Sequence, residues 1–170
     1  MFLDQAQRLA ERIAKELGPF CTRVEVAGEV RRRWQRIQKL CLVVEVPEGG
    51  TDQLEERIFR HAAPDGQIQG PPVFHAKLSN HMPLEVCLSS SDNWGSALIY
   101  RTGPAEFVKE LSKALWRNRF SWDHSSGISH KQKLIGGADE KTFFELLQIP
   151  FIEPWERDAY TWPDFSPPDR

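Results

Sequence analysis

The stretch Val24-Glu25-Val26-Ala27-Gly28-Glu29-Val30-Arg31-Arg32-Arg33, followed after a short spacer by Leu40-Cys41-Leu42-Val43-Val44-Glu45-Val46, decides how this chain is read. Val24 to Ala27 alternate as a strand does, and Gly28 opens a position for a positive φ or for close approach to a phosphate. The run from Leu40 is apolar on both sides, the pattern of a strand covered on both faces. Lys39 and Cys41 fall on one side of its near end, because side chains two apart share a face. A basic loop feeding a buried strand puts the chemistry of the chain at that strand end.

Outward from this core, Phe2, Leu3, Ala6, Leu9, Ala10, Ile13 and Leu17 recur at helical spacing and predict an N-terminal helix ended by Gly18-Pro19. After the second strand, Pro47-Glu48-Gly49-Gly50 reads as a turn. Thr51 is placed to cap a helix to about His61, with Leu54, Ile58 and Phe59 inward, before Ala63-Pro64-Asp65-Gly66 breaks it. Val73 to Leu78 and Met82 to Leu88 predict a hairpin about Ser79-Asn80-His81. Ser91 and Asp92 introduce a helix that stops at Thr102-Gly103-Pro104, and a second helix shows its apolar face at Phe107, Val108, Leu111, Ala114 and Leu115. Phe120-Ser121-Trp122 and Ile128 to Ile135 read as two short strands, Asp139 caps a last helix, and a proline- and tryptophan-containing tail follows.

A chain of 170 residues with a formal charge of −2 has length enough for a real core. The charge excludes attachment to nucleic acid by bulk charge alone. Local basic patches stand out at Arg23, Arg31, Arg32, Arg33, Arg36 and Lys39, and at Lys109, Lys113, Arg117 and Arg119. Cys21, Cys41 and Cys87 sit in apolar surroundings and are odd in number, which predicts reduced, buried thiols and a cytoplasmic location. No apolar run is long enough to span a bilayer, so no membrane partner is expected.

The segment from Gly28 to Val46 resembles the nucleotidyltransferase core of the DNA polymerase X family. The pattern of that family runs Gly-Ser, an aromatic or aliphatic residue, Arg-Arg-Gly, a spacer, Gly-Asp-x-Asp and an apolar tail. Gly28 keeps the glycine and Arg31 and Arg32 the arginine pair, while Glu29 replaces the serine and Arg33 the second glycine. Gln38 stands at the next glycine, and Lys39 and Cys41 stand at the two metal-binding aspartates. Leu84-Glu85-Val86-Cys87-Leu88 is similar to the strand bearing the third catalytic carboxylate, with Glu85 for aspartate. Tyr100-Arg101-Thr102-Gly103 is similar to the Tyr-Phe-Thr-Gly turn that shapes the nucleotide pocket. Ile149-Pro150-Phe151-Ile152-Glu153-Pro154 to Arg157 resembles the ending of the thumb subdomain. The lyase and helix-hairpin-helix segments of the family have no counterpart.

The resemblance implies an α+β fold: a nucleotidyltransferase palm with a mixed sheet and flanking helices over 1–103, a thumb of helices and a short antiparallel sheet over 104–157, and a tail over 158–170. It implies nucleotide or phosphate contacts at Gly28, Arg31, Arg32, Tyr100, Thr102 and Gly103, with DNA contact candidates at Arg33, Trp34 and Arg36. DNA repair or replication would be the setting.

Two-metal phosphoryl transfer needs clustered carboxylates, because Mg²⁺ is a hard cation that takes oxygen ligands. Only Glu85 survives of the family set. A protonated Lys39 offers no lone pair, and a Cys41 thiol is soft. Glu45 shares the face of Cys41, but four residues at about 3.3 Å each put it on the order of 13 Å away. Lys39 is therefore expected either to pair with Glu85 where a cation would sit, or to extend to solvent at the strand end. No cofactor is expected, with Mg²⁺ the requirement if the chain is active. Cys41 and Cys87 with His75 or His81 lack zinc-finger spacing and read as structural thiols and surface histidines.

Three functions stay open on these residues. One is a catalytically degenerate polymerase X-like protein that binds DNA or nucleotide. Another is an active minimal nucleotidyltransferase with a rebuilt metal site. The third is a regulatory module that presents its C-terminal tail to a protein partner.

Overall fold

The computed structural model describes residues 1–63 and 70–165. The chain separates into two units, Met1–Ser90 and Ser91–Arg170, each with its own apolar cluster. The division falls before the helix Trp94–Thr102. The architecture is α+β, with one mixed and one antiparallel sheet.

In the first unit the periodic apolar face forms α1 (Leu3–Leu17), which buries Ala6, Ala10, Ile13 and Leu17 completely. A 3₁₀ turn at Gly18–Phe20 leads into β1 (Arg23–Ala27). A short helix α2 (Gly28–Arg31), where the sequence predicts a basic loop, and an irregular stretch return the chain into β2 (Leu40–Glu45). The connection from β2 carries α3 (Thr51–His61), and β3 (Val73–Lys77) and β4 (Pro83–Ser89) form the expected hairpin. Strand order is β1-β2-β4-β3; β2 runs antiparallel to β1 and parallel to β4. The parallel pairing requires a crossover, and α3 lies in it.

Leu40, Leu42 and Val44 of β2, Leu84 and Val86 of β4, and Phe74 and Ala76 of β3 form one cluster with α1 and with Leu54 and Ile58 of α3. Each such Leu or Ile contributes roughly 1.5–3 kcal/mol by leaving water. Phe59, expected inward, is 63% exposed. One residue beyond Ile58 is a rotation of about 100°, which carries its ring off the buried stripe. Gly50, with no side-chain cap, occupies the N-cap position that Thr51 was expected to fill. The break predicted at 63–66 lies, after Ala63, outside the described residues, as do the last residues of the tail.

The second unit begins with a 3₁₀ turn at Ser91–Asn93, then α4 (Trp94–Thr102) and α5 (Ala105–Arg117), joined through a cis Gly103–Pro104 peptide with Gly103 at φ 64. Three strands follow in antiparallel order: β5 (Ser121–Asp123), β6 (Gly127–His130) and β7 (Lys133–Gly136). The single strand expected from Ile128 to Ile135 is thus a hairpin. Its two turn residues, Lys131 and Gln132, both take positive φ without the Asn or Gly that normally marks such a turn.

Helix α6 (Lys141–Leu146) is introduced by Asp139, whose Oδ1 accepts from the Thr142 amide at 2.9 Å. A 3₁₀ segment at Pro154–Ala159 follows. Phe107, Leu111, Leu115, Ile128, Phe143, Phe144 and Ile152 make the core, with Tyr160 and Trp162 packed against it.

Within the core of the second unit Arg157 is buried. Its Nη2 lies 3.0 Å from Glu140 Oε1, its Nε donates to the Ile152 carbonyl at 3.2 Å, and its guanidinium lies 5.4 Å from the centroid of the Phe107 ring.

The β5–β6 turn is held by Asp123, whose Oδ1 accepts from the hydroxyls and backbone amides of Ser125 and Ser126. Those hydrogen bonds, the Ser125 hydroxyl first, hold its carboxyl down to about 2, below the ordinary aspartate value of about 3.8. A depressed folded-state value means that the stabilisation is complete above about 3.8 and is lost as pH falls through about 2. Asp123→Asn should therefore flatten the stability-against-pH curve between those values. An unchanged acid limb in urea titrations across that window would refute the assignment.

Candidate functional site

The register of the first sheet builds the site. Ala27 lies opposite Cys41, Cys41 opposite Glu85, and Glu85 opposite His75, so four strands put these residues in one row. Lys39 precedes β2 by one residue, on the Cys41 side. Its Nζ reaches Glu85 Oε1 at 2.8 Å, the first of the two arrangements expected for it. His75 Nδ1 stands 3.5 Å from the same oxygen. Glu85 is largely covered, whereas the Lys39 and His75 side chains are about half exposed. A half-exposed pair of this kind contributes roughly 0–1 kcal/mol, so its interest is in its position and not in stability.

The donor set does not fit a pair of Mg²⁺ ions. The row offers one carboxylate, one ammonium, one buried thiol and one imidazole, where hard cations need several oxygens. The other acids near the motif are engaged. Glu25 pairs with Arg31 at 3.3 Å, Glu29 Oε2 accepts from the Gln38 amide at 2.6 Å, and Glu45 lies 3.6 Å from Arg23. Among the described residues no three His, Cys, Asp or Glu side chains are arranged to hold a metal ion.

The basic loop has more internal structure than its composition suggested. Gly28 takes φ 65 at the end of β1 and opens α2, and the Arg32 amide closes that turn on the Gly28 carbonyl. Arg31 is held by Glu25. Arg32 is buried, and its guanidinium carbon lies 4.9 Å from the centroid of the half-exposed Trp34 ring. Arg33 takes a positive φ of 61 and is exposed. Arg36 lies 4.8 Å from the Phe2 ring centroid, where the loop bridges to the start of α1. Arg31 thus has an ion-pair partner, and Arg32 and Arg36 have ring partners. Each such cation-on-ring contact is worth about 0.5–1 kcal/mol at an exposed site.

In the second unit, Tyr100 and His124 stack at 4.0 Å with planes 12° apart, and Arg101 lies 5.2 Å from the Tyr100 centroid. Thr102 is fully buried and Gly103 ends α4. One face of the Tyr100 ring is thus covered by His124, and Gly103 ends the helix that carries it. The tail aromatics Tyr160 and Trp162 pack on Phe107, with centroids 6.2 and 5.0 Å away. Cys41 and Cys87 are buried free thiols. Cys21 is half-buried, and burial pushes its thiol up to about 11.

His75, which the sequence reads as a surface histidine and not as a zinc ligand, is a member of the row. The alternation of Val73, His75 and Lys77 put it on one strand face; only the hairpin register sets it opposite Glu85.

Residues 97–158 match the family model described as the DNA polymerase beta thumb. The matched stretch runs from within α4 to the 3₁₀ segment at Pro154–Ala159 and includes Tyr100 to Gly103. No curated protein matches the chain. No helix among the described residues is long and apolar enough to cross a membrane.

Proposed function

We propose that the chain is a polymerase X-like nucleotidyltransferase-fold protein that no longer carries out efficient metal-dependent nucleotidyl transfer and retains DNA or nucleotide binding. The observation that carries this reading is the Lys39 Nζ to Glu85 Oε1 contact at 2.8 Å. An ammonium stands where the motif of the family has a carboxylate, and it is bonded to the single carboxylate retained. A fixed positive charge there takes the place of a metal ion electrostatically but supplies no Lewis acid and no bound nucleophile. The thumb match over residues 97–158 supports a DNA-binding setting.

In this reading residues 1–103 correspond to a palm and 104–157 to a thumb. Gly28, Arg31 and Arg32 offer a phosphate the close backbone and guanidinium groups that suit its oxygens. Tyr100, followed by Thr102 and Gly103, offers a base the ring face that His124 does not cover. The exposed Arg33, Trp34 and Arg36 contact DNA.

The test is primer extension on a gapped duplex with four deoxynucleotides in Mg²⁺ and then Mn²⁺, beside a gel shift on the same DNA. The expected result is no extension and a shift that weakens with salt, log K falling by about 0.9 per phosphate contact for each decade of salt. Extension that Glu85→Ala abolishes would overturn the degenerate reading. Absence of both extension and shift would overturn DNA binding.

A further inference from the structure

We propose that the concave patch at the C-terminal end of α5 seats one unpaired nucleotide of a single strand, its base on Trp116 and its phosphate at Arg117 and Arg119. This deepens the DNA-binding reading and rests on it. The patch is lined by Trp116, Arg117, Arg119, Phe120 and Ser121 and encloses about 430 Å³. That volume lies within the 300–1,000 Å³ typical of small-molecule sites.

Trp116 is the most exposed large hydrophobic side chain among the described residues, at 74%. The buried stripe of α5 is Phe107, Leu111, Ala114 and Leu115, and Trp116 follows it by one residue, about 100° round the helix. The core does not use this indole. An exposed aromatic face attracts bases of any identity, since every base has a π-face.

The cations beside it are available. Among the described residues neither Arg117 nor Arg119 forms an ion pair within 4.0 Å. Glu110, the carboxylate whose charge Arg117 stabilises, is already bonded to Lys113 at 2.6 Å. Two guanidinium groups next to a bare indole complement a phosphate next to a base. An acidic peptide would satisfy the guanidinium groups and leave the ring without a matching plane.

The walls are fixed before any ligand arrives. The Arg119 amide donates to the Trp116 carbonyl at 2.9 Å, the Phe120 amide to the Leu115 carbonyl at 2.9 Å, and Asn118 Nδ2 to the Ala114 carbonyl at 2.9 Å. His130 Nδ1 lies 3.1 Å from the Arg119 carbonyl, with its ring 5.5 Å from that of Phe120. A backbone so held loses little freedom on binding.

The test uses the full chain and fluorescein-labelled oligothymidylate of about eight nucleotides, followed by anisotropy, with a blunt duplex in parallel. Trp116→Ala should weaken oligothymidylate binding about tenfold, Trp116→Phe should retain most of it, and duplex binding should not change. Arg117→Glu with Arg119→Glu should weaken the single strand and reduce its salt dependence. Equal affinity of the native chain and Trp116→Ala for oligothymidylate overturns the proposal. If the native chain binds duplex and not the single strand, this inference fails alone; if it binds neither, the DNA-binding reading fails as well. Capture of a glutamate-rich aromatic peptide through Trp116, without oligothymidylate binding, would make this a peptide site and overturn the nucleotide assignment.

Discussion

Arg157→Ala should destabilise the second unit by about 3–5 kcal/mol, because it removes the guanidinium 3.0 Å from the buried Glu140 carboxylate. The Glu140 side chain is 9% exposed and that of Arg157 is 0% exposed, so water is poorly placed to replace the lost partner. The truncation also removes the guanidinium packed among Phe107, Phe144 and Phe151 and the bond to the Ile152 carbonyl. Urea denaturation of the whole chain measures this as a shift in the transition reported by the second unit. Arg157→Met combined with Glu140→Leu should recover much of the loss, since removing both charges leaves no ion to desolvate. A loss below about 1 kcal/mol for Arg157→Ala, the range of a surface pair, would show that the pair is solvated in solution.

Gly95→Ala should be nearly as costly for a different reason. A Cβ built on Gly95 would lie 2.0 Å from the Asp139 carbonyl carbon and 2.4 Å from its Cα. Both are backbone atoms, so no side chain can swing away. Relief requires the first turn of α4 to part from 137–139, which breaks the bonds from the Gly95 amide to the Ala138 carbonyl at 3.2 Å and from the Ser96 amide to the Gly137 carbonyl at 2.8 Å. Ser96 also accepts from Trp122 Nε1 at 2.7 Å, so the disturbance reaches the small sheet. Overpacking of this kind costs about 1–3 kcal/mol, and the rigid neighbour puts Gly95→Ala at the upper end. Thermal unfolding would check it. Gly18→Ala serves as a control, since a Cβ there meets nothing within 4 Å.

The parts of the molecule legible in the sequence are those where period and punctuation agree. The α1 face, the β3–β4 hairpin and the α4–α5 break at Gly103-Pro104 each join a clear repeat to a clear stop. Lys39 and Glu85 were legible as possible partners through the motif spacing, although 46 residues separate them.

What the sequence concealed was decided by long-range geometry. The Lys131–Gln132 turn uses positive φ at residues that do not announce it. Arg157 reads only as the end of the thumb-like segment, and its enclosure by three rings and Glu140 has no signal in the sequence. Arg31 and Arg36 read as phosphate and DNA contacts; their partners Glu25 and Phe2 come beside them through the β1–α2 junction and the bridge to α1. The tail aromatics looked like a surface for a partner. Removing Tyr160 onward would also strip rings from the core of the second unit, so such a truncation tests stability before it tests capture.

The packing of Trp162 and Tyr160 on Phe107 gives the chain a direction in time. The apolar cluster of the first unit closes within residues 1–90 and can form while the rest is still being synthesised. In the second unit Phe107 is translated early, yet its covering rings and the Arg157 that neutralises Glu140 arrive some fifty residues later. For those seconds of elongation, at about 5–20 residues per second, the aromatic residues of the second unit already made are without the rings that cover them in the folded unit. That interval is where a chaperone would engage this chain.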